Sequence, residues 1–322
     1  MSQNGGFLGP QSMWLGLGVF ALLLFGWKAS APAPDTNQPP VALRTIVDGA
    51  GARSVQLNRS DCLRLEDRVW VTLEDGVECI AFVASSKAEG TENAVIYFSG
   101  DVPEEQYPAE TQDSARANYL RRAETWSSRL GVPVVIIGRP GLMGSSGFHL
   151  LGGRRDESVV IDRALDAVKE RLSLRRVSLA GQSGGARIIA QLMVVGRRDI
   201  HCAAKGSGAY DIPRLRGGGT SSTNIFGDPG RRYLVPMRQV ENVPRSSDRR
   251  TYVIGDRRDT VTPFNEQQAW ADKLASLGHH VQLIESVAQG PDYHGMSEKA
   301  LTAAAMCALG KPDPEIRTAV GK

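Results

Sequence analysis

Residues 178–189 read SLAGQSGGARII: a short apolar run, then Gly181, Gln182, Ser183, Gly184 and Gly185, then the start of a helical pattern. A serine between glycines, where a strand turns into a helix, is G-x-S-x-G in the setting that gives the pattern meaning. So sharp a reversal forces the serine into a strained backbone conformation, in which flanking side chains would strike the neighbouring strand or helix. The Ser183 hydroxyl is then presented at a sheet edge. The Gly184 amide sits at a helix N-terminus, where it can bind an oxyanion. Alone, the pattern equally suits an ordinary glycine-rich turn, so the surrounding chain has to decide.

Around this stretch the chain alternates between two periods. AVIYFSG (94–100), VPVVIIG (132–138), RVSLAG (176–181), HCAAKGSG (201–208), TYVIG (251–255) and HVQLIESV (280–287) are short apolar runs of the kind buried on both faces of a parallel sheet. Between them Ala117, Leu120, Ala123, Trp126 and Leu130 recur at helical spacing, as do Ile161, Leu165, Val168 and Leu172; helices are also expected over 185–195, 265–277 and 297–309. Strands alternating with helices imply right-handed crossovers and a doubly wound, mostly parallel sheet with helices on both faces. Ahead of it, the alternating residues of CLRLEDRVWVTLEDGVECIAFVAS (62–85), broken at Glu74, Asp75 and Gly76, read as an antiparallel hairpin.

A serine needs a base, and the base needs an orienting acid. The run TYVIGDRRDTVTP offers Asp256 and Asp259 just after a strand, and ESVAQGPDYHGM places His294 just after the last one. The order Ser, Asp, His, each following a parallel strand, belongs to one architecture in particular.

On these residues the stretch from about 54 to 310 resembles the α/β-hydrolase superfamily, more narrowly its single-domain members similar to dienelactone hydrolases and to the catalytic domains of the prolyl-oligopeptidase group. The resemblance implies the α/β-hydrolase fold, with GQSGG as the nucleophile elbow. Ser183 takes the nucleophile's place and His294, in YHG, the base's. Asp259, just before the Thr-Val-Thr-Pro run, is selected over Asp256 as the acid, leaving Asp256 to orient that turn. The family's His-Gly loop is replaced by FSGD (98–101), with Ser99 in the histidine's position. Carried over, the second oxyanion donor is the Asp101 backbone N–H beside that of Gly184. The implied activity is cleavage of carboxylic esters of small or medium acids through an acyl-enzyme, without metal or organic cofactor. Peptide bonds are the runner-up within the same chemistry. A catalytically silent binding protein anchored in the envelope is the alternative from another class.

The 322 residues, 41% hydrophobic and 23% charged, suffice for one large core. A formal charge of +3 with no basic arm argues against nucleic acid as a partner. GLMGSSG (141–147) ends without the lysine of a phosphate-binding loop. At the N-terminus, residues 13–27 (MWLGLGVFALLLFGW) carry no charge and are followed by Lys28 and a proline-rich linker over 29–43. Residues 1–28 read either as a signal peptide cut near Ala29, Ser30 and Ala31, or as an anchor over 7–27, roughly 30 Å as a helix. Export is the expectation, with the hydrolase domain over 44–322 in the periplasm or held at the inner membrane of a bacterium and associated with the membrane through 7–27, although an anchor leaves the orientation open and the lone Lys28 favours a cytoplasmic C-terminal side.

Cys62, Cys79, Cys202 and Cys307 are too few to define a disulfide framework, and their spacing fits no structural zinc site. With Cys79 opposite about residue 72 in the hairpin, Cys62 is expected on the order of 30 Å away unless the chain folds back. A less periodic excursion at about 211–250 holds eight arginines (214, 216, 231, 232, 238, 245, 249 and 250), which read as a solvated segment or, folded over the site, as an anion-recognising one. His201, His279 and His280 read as structural or exposed. His149 is a candidate pocket residue.

Overall fold

The computed structural model describes residues 44–47, 53–74, 76–102, 113–147, 157–211 and 234–321. The chain divides into two compact units, Met1–Pro39 and Pro40–Lys322. The first, with the apolar 7–27 segment, lies outside the described residues. Among those described, no helix is long and apolar enough to cross a membrane.

A two-stranded antiparallel ribbon, β1 (Arg44–Val47) and β2 (Arg53–Gln56), comes first. The main sheet has eight strands: β3 (Arg68–Leu73), β4 (Gly76–Ala84), β5 (Asn93–Phe98), β6 (Val134–Ile137), β7 (Arg176–Gln182), β8 (Ile200–Gly206), β9 (Arg250–Gly255) and β10 (Val281–Glu285). They lie in the order β10-β9-β8-β7-β5-β6-β4-β3. β4 runs antiparallel to β3 and β6, and all other neighbours are parallel. Both the hairpin and the parallel units are therefore where the periodicity put them. The strand order reverses beside β5 and β7, which places the β5 and β7 loops next to each other at the sheet's C-terminal edge.

Helices cover both faces. α3 (Glu157–Leu172), α4 (Gly184–Val194) and α5 (Phe264–Ser276) pack with Ile96, Phe98, Leu179 and Val253 on one side. α2 (Asp113–Leu130), α6 (Ser297–Ala308) and α7 (Asp313–Val320) pack with Val95, Tyr97, Ala180 and Ile254 on the other. Alternate residues of one strand thus feed opposite cores, which is why the central strands read as unbroken apolar runs. Each fully buried aliphatic side chain there contributes about 1.5–3 kcal/mol. Every residue of α4 is buried, Arg187 and Gln191 included.

The expected separation of Cys62 from Cys79 is corrected by a short helix. α1 (Arg59–Arg64), capped by Asn58, whose side chain accepts from the Asp61 amide at 2.8 Å, carries Cys62. The chain then turns back along β3, where Cys79 pairs with Trp70 rather than a residue near 72. Cys62 and Cys79 form a disulfide with Cα atoms 5.9 Å apart, and Cys202 and Cys307 form a second, tying β8 to α6. All four cysteines of the sequence are thereby used.

In the excursion between β8 and β9 a 3-10 turn covers Pro236–Asn242. Arg249 is buried and donates to the Arg197 carbonyl at 3.0 Å, and Arg250 Nε donates to Asp313 at 3.0 Å, so these two arginines hold the fold together. Arg214, Arg216, Arg231, Arg232 and His149 lie outside the described residues.

Asp313 anchors α7 by accepting also from the Tyr252 hydroxyl at 2.8 Å and pairing with His280 Nε2 at 2.6 Å. Burial pushes this carboxyl up, but Arg250, Tyr252 and His280 more than offset that and hold it at about 2. A carboxylate depressed on folding stabilises above its unfolded value, about 3.9, and that contribution is lost as pH falls through the folded value. Asp313→Asn should therefore be less stable than wild type at pH 7, with the gap closing between about pH 4 and pH 2 in urea titrations.

Candidate active site

Ser183 stands at the junction of β7 and α4 with φ 55° and ψ −118°, the strained turn that the glycine pattern requires. A Cβ on Gly181 would lie 2.6 Å from the Gly185 carbonyl carbon, and one on Gly185 would overlap the Phe98 carbonyl oxygen and lie 2.6 Å from that of Ser99. The motif's glycines thus let α4 press directly on β7 and on the end of β5. The Ser183 amide donates to the Gly206 carbonyl at 2.9 Å, so the elbow is also held by β8.

Asp259 lies in the turn after β9 and His294 in the loop after β10, and their side chains meet. His294 Nδ1 is 3.0 and 3.1 Å from the two Asp259 oxygens. The carboxylate is fixed from behind: Oδ1 accepts from the amides of Val261 and Thr262 at 2.9 and 2.8 Å, and Thr262 Oγ1 lies 3.0 Å from Oδ2. Burial pushes the Asp259 carboxyl up, but the His294 ring and the Thr262 amide outweigh it and leave it below the usual range. With Nδ1 engaged by the carboxylate, Nε2 is the nitrogen that can serve a nucleophile.

Asp256 braces the turn that carries Asp259. Its oxygens take the Arg258 amide at 2.9 Å, the Arg258 guanidinium at 2.7 Å and the Ala288 amide at 3.0 Å, and the Arg258 contact holds this carboxyl well below its ordinary value. The guanidinium stacks 4.1 Å from the centre of the Tyr293 ring. Asp256 therefore couples the turn that carries Asp259 to Tyr293, the residue before His294.

Gln182 was not legible as a site residue. Its Nε2 donates to the His294 carbonyl at 3.2 Å, and its Oε1 accepts from Ser297 Oγ at 3.1 Å, itself 2.8 Å from the buried Tyr97 hydroxyl. The residue next to Ser183 thus holds the backbone of His294. Gln182→Ala should lower the kcat of the activity proposed below by about 10- to 100-fold with little change in KM, the cost of misplacing a base by a fraction of an ångström to an ångström, as steady-state assays would read.

Asp101 follows β5. A Cβ on Gly100 would lie 3.4 Å from Ser183 Cβ, so this segment borders the elbow. The Asp101 carboxylate packs over Gly184, where a Cβ would overlap it, and is taken up by Arg187 and Arg139. The serines of GLMGSSG serve the scaffold: Ser146 Oγ accepts from the Cys79 amide at 2.6 Å and Ser145 Oγ from the Ala81 amide at 3.0 Å.

Strand order, an elbow after β7, an acidic turn after β9 and a histidine loop after β10 together define the α/β-hydrolase fold. An esterase of Pyrococcus furiosus has a similar structure in two crystal forms. One superposes with a TM-score of 0.53 at 15% identity, covering 84% of this chain and 99% of the esterase. The other gives 0.53 at 14% identity, over 80% and 95%. DcsB, solved with its substrate analogue, gives 0.50 at 14% identity, over 76% of this chain and 99% of that one. No family model and no curated protein matches the sequence.

Proposed function

We propose that the chain is a serine hydrolase that cleaves carboxylic esters through Ser183, His294 and Asp259. The observation that carries this reading is the Asp259–His294 pair at 3.0 Å, in the loops beside a serine held at φ 55°. His294 Nε2 takes the Ser183 proton as Oγ attacks the acyl carbon. The amides of Gly184 and Asp101 receive the oxyanion, the alcohol departs with the proton from His294, and water releases the acyl group by the same route. No step calls for a metal or organic cofactor. Esters rank ahead of peptides because the excursion over 211–250 is too short to form a size-selecting domain, and an esterase is among the proteins of similar fold.

Export to the periplasm, free or tethered through residues 7–27, belongs to the same proposal. It is supported by the uncharged 13–27 segment and by the two disulfides, which persist in oxidising compartments.

A panel of p-nitrophenyl esters and matched peptide anilides tests the reading. Ester turnover lost in Ser183→Ala is the expected result. Turnover of anilides alone would replace it with a peptidase.

A further inference from the structure

Two arginines are completely buried beside the elbow. Arg139, at the end of β6, and Arg187, one helical turn beyond Ser183, are 0% and 1% exposed. Neither charge is left uncompensated. Arg139 Nε and Nη2 grip Glu157 at 2.6 and 2.7 Å; Nη2 also meets Asp101 Oδ1 at 2.9 Å, and Nη1 donates to the Ser99 carbonyl at 3.1 Å. Arg187 takes the same Asp101 carboxylate with both terminal nitrogens at 3.1 Å and lies 3.8 Å from Glu157.

The placement also bears on the elbow. One guanidinium holds the carbonyl of Ser99 and the side chain of Asp101, bracketing Gly100, which lies against Ser183. The backbone donor of Asp101 is therefore fixed from both sides. Through Arg187 it is also fixed to the helix that carries the nucleophile. The glycine at 184 belongs to the same arrangement, since a side chain there would displace the carboxylate. Two cations balance two anions, so an acidic residue can stand beside a developing oxyanion without repelling it.

We propose, on the hydrolase reading above, that Arg139 and Arg187 with Asp101 and Glu157 form a positioning device that sets the Asp101 amide as the second oxyanion donor. The four residues are not catalytic residues through their side chains. They act through the backbone of residue 101, and Asp101→Asn keeps that amide while removing the charge that orients it.

The test compares the full-length wild type, Asp101→Asn and Arg139→Lys on an ester and its thionoester, whose sulfur accepts hydrogen bonds poorly and so reports oxyanion contacts. In the wild type the ester is strongly preferred. In both variants kcat for the ester should fall by about 100-fold, the cost of one misplaced oxyanion donor, with KM nearly unchanged and the ester-to-thionoester ratio reduced at least about tenfold. Should Arg139→Lys fail to fold, by thermal melt, Asp101→Asn decides alone, because its carboxylate is partly exposed. A fall in kcat with an unchanged ratio would overturn the proposal and leave the hydrolase standing. No ester turnover by the wild type would overturn the ester-hydrolase reading and the proposal that rests on it.

Discussion

Asp259→Asn should leave a folded protein whose kcat for ester hydrolysis is reduced about 10⁴-fold, the size of loss that follows when a triad carboxylate becomes an amide. The hydrogen bonds dictate which way the asparagine would sit. Oδ1 faces two amide donors, those of Val261 and Thr262, so the substituted side chain must keep its carbonyl there. Its NH2 group then faces His294 Nδ1, where the wild type has a carboxylate oxygen at 3.0 Å. A donor opposite Nδ1 drives the ring proton to Nε2, and a protonated Nε2 cannot accept the proton of Ser183. A thermal melt close to wild type, with kcat collapsed, is the signature. A loss of less than about tenfold would show that the pair does not orient the base.

Gly185→Ala should have the largest effect on stability. The added methyl group would overlap the Phe98 carbonyl oxygen, at the end of β5 in the centre of the sheet, and crowd that of Ser99. Neither atom belongs to a flexible side chain. Relief has to come from separating α4 from β5, which disturbs the packing of Ile188, Ile189 and Leu192, all fully buried. Overpacking against backbone at so central a contact costs about 3 kcal/mol or more, which for a domain of this size lowers the melting midpoint by roughly 6–12 °C. Calorimetry would read it directly. A midpoint within a degree or two of wild type would mean that the elbow is looser than its contacts imply.

The fold was legible because its signals are local. Apolar runs ending in glycine marked the parallel strands, and the break at Glu74, Asp75 and Gly76 marked the hairpin whose register closes at Leu73 and Gly76. That Ser183, Asp259 and His294 each follow a strand was legible, because each strand's apolar run ends just before it. Short elements were not: α1 is six residues long, and it carries the Cys62 that bonds Cys79. α7 follows Pro312 as a brief amphipathic turn whose anchor, Asp313, draws its partners from β9 and from His280.

Contacts between distant loops were hidden for the same reason. Asp101, Arg139, Glu157 and Arg187 come from four separate segments, and no spacing links them. One signal was present: an arginine within GGARIIAQLMV, otherwise an apolar helix, is a charge that burial obliges to find a partner. Lys205, in HCAAKGSG, is a second such case. It is completely buried, with its Nζ over the rings of Trp270 and Tyr210 at 5.2 and 5.8 Å, and burial drives its pKa well below the ordinary lysine value.

Reaction of the full-length protein with a fluorophosphonate, followed by peptide mapping, tests the central claim most directly. The account predicts a single phosphonyl adduct on Ser183, formed rapidly in the wild type, absent in Ser183→Ala and strongly slowed in His294→Ala. A folded wild type that forms no adduct, or forms it on another serine, would contradict the assignment and leave a silent binding protein of the same fold as the better description.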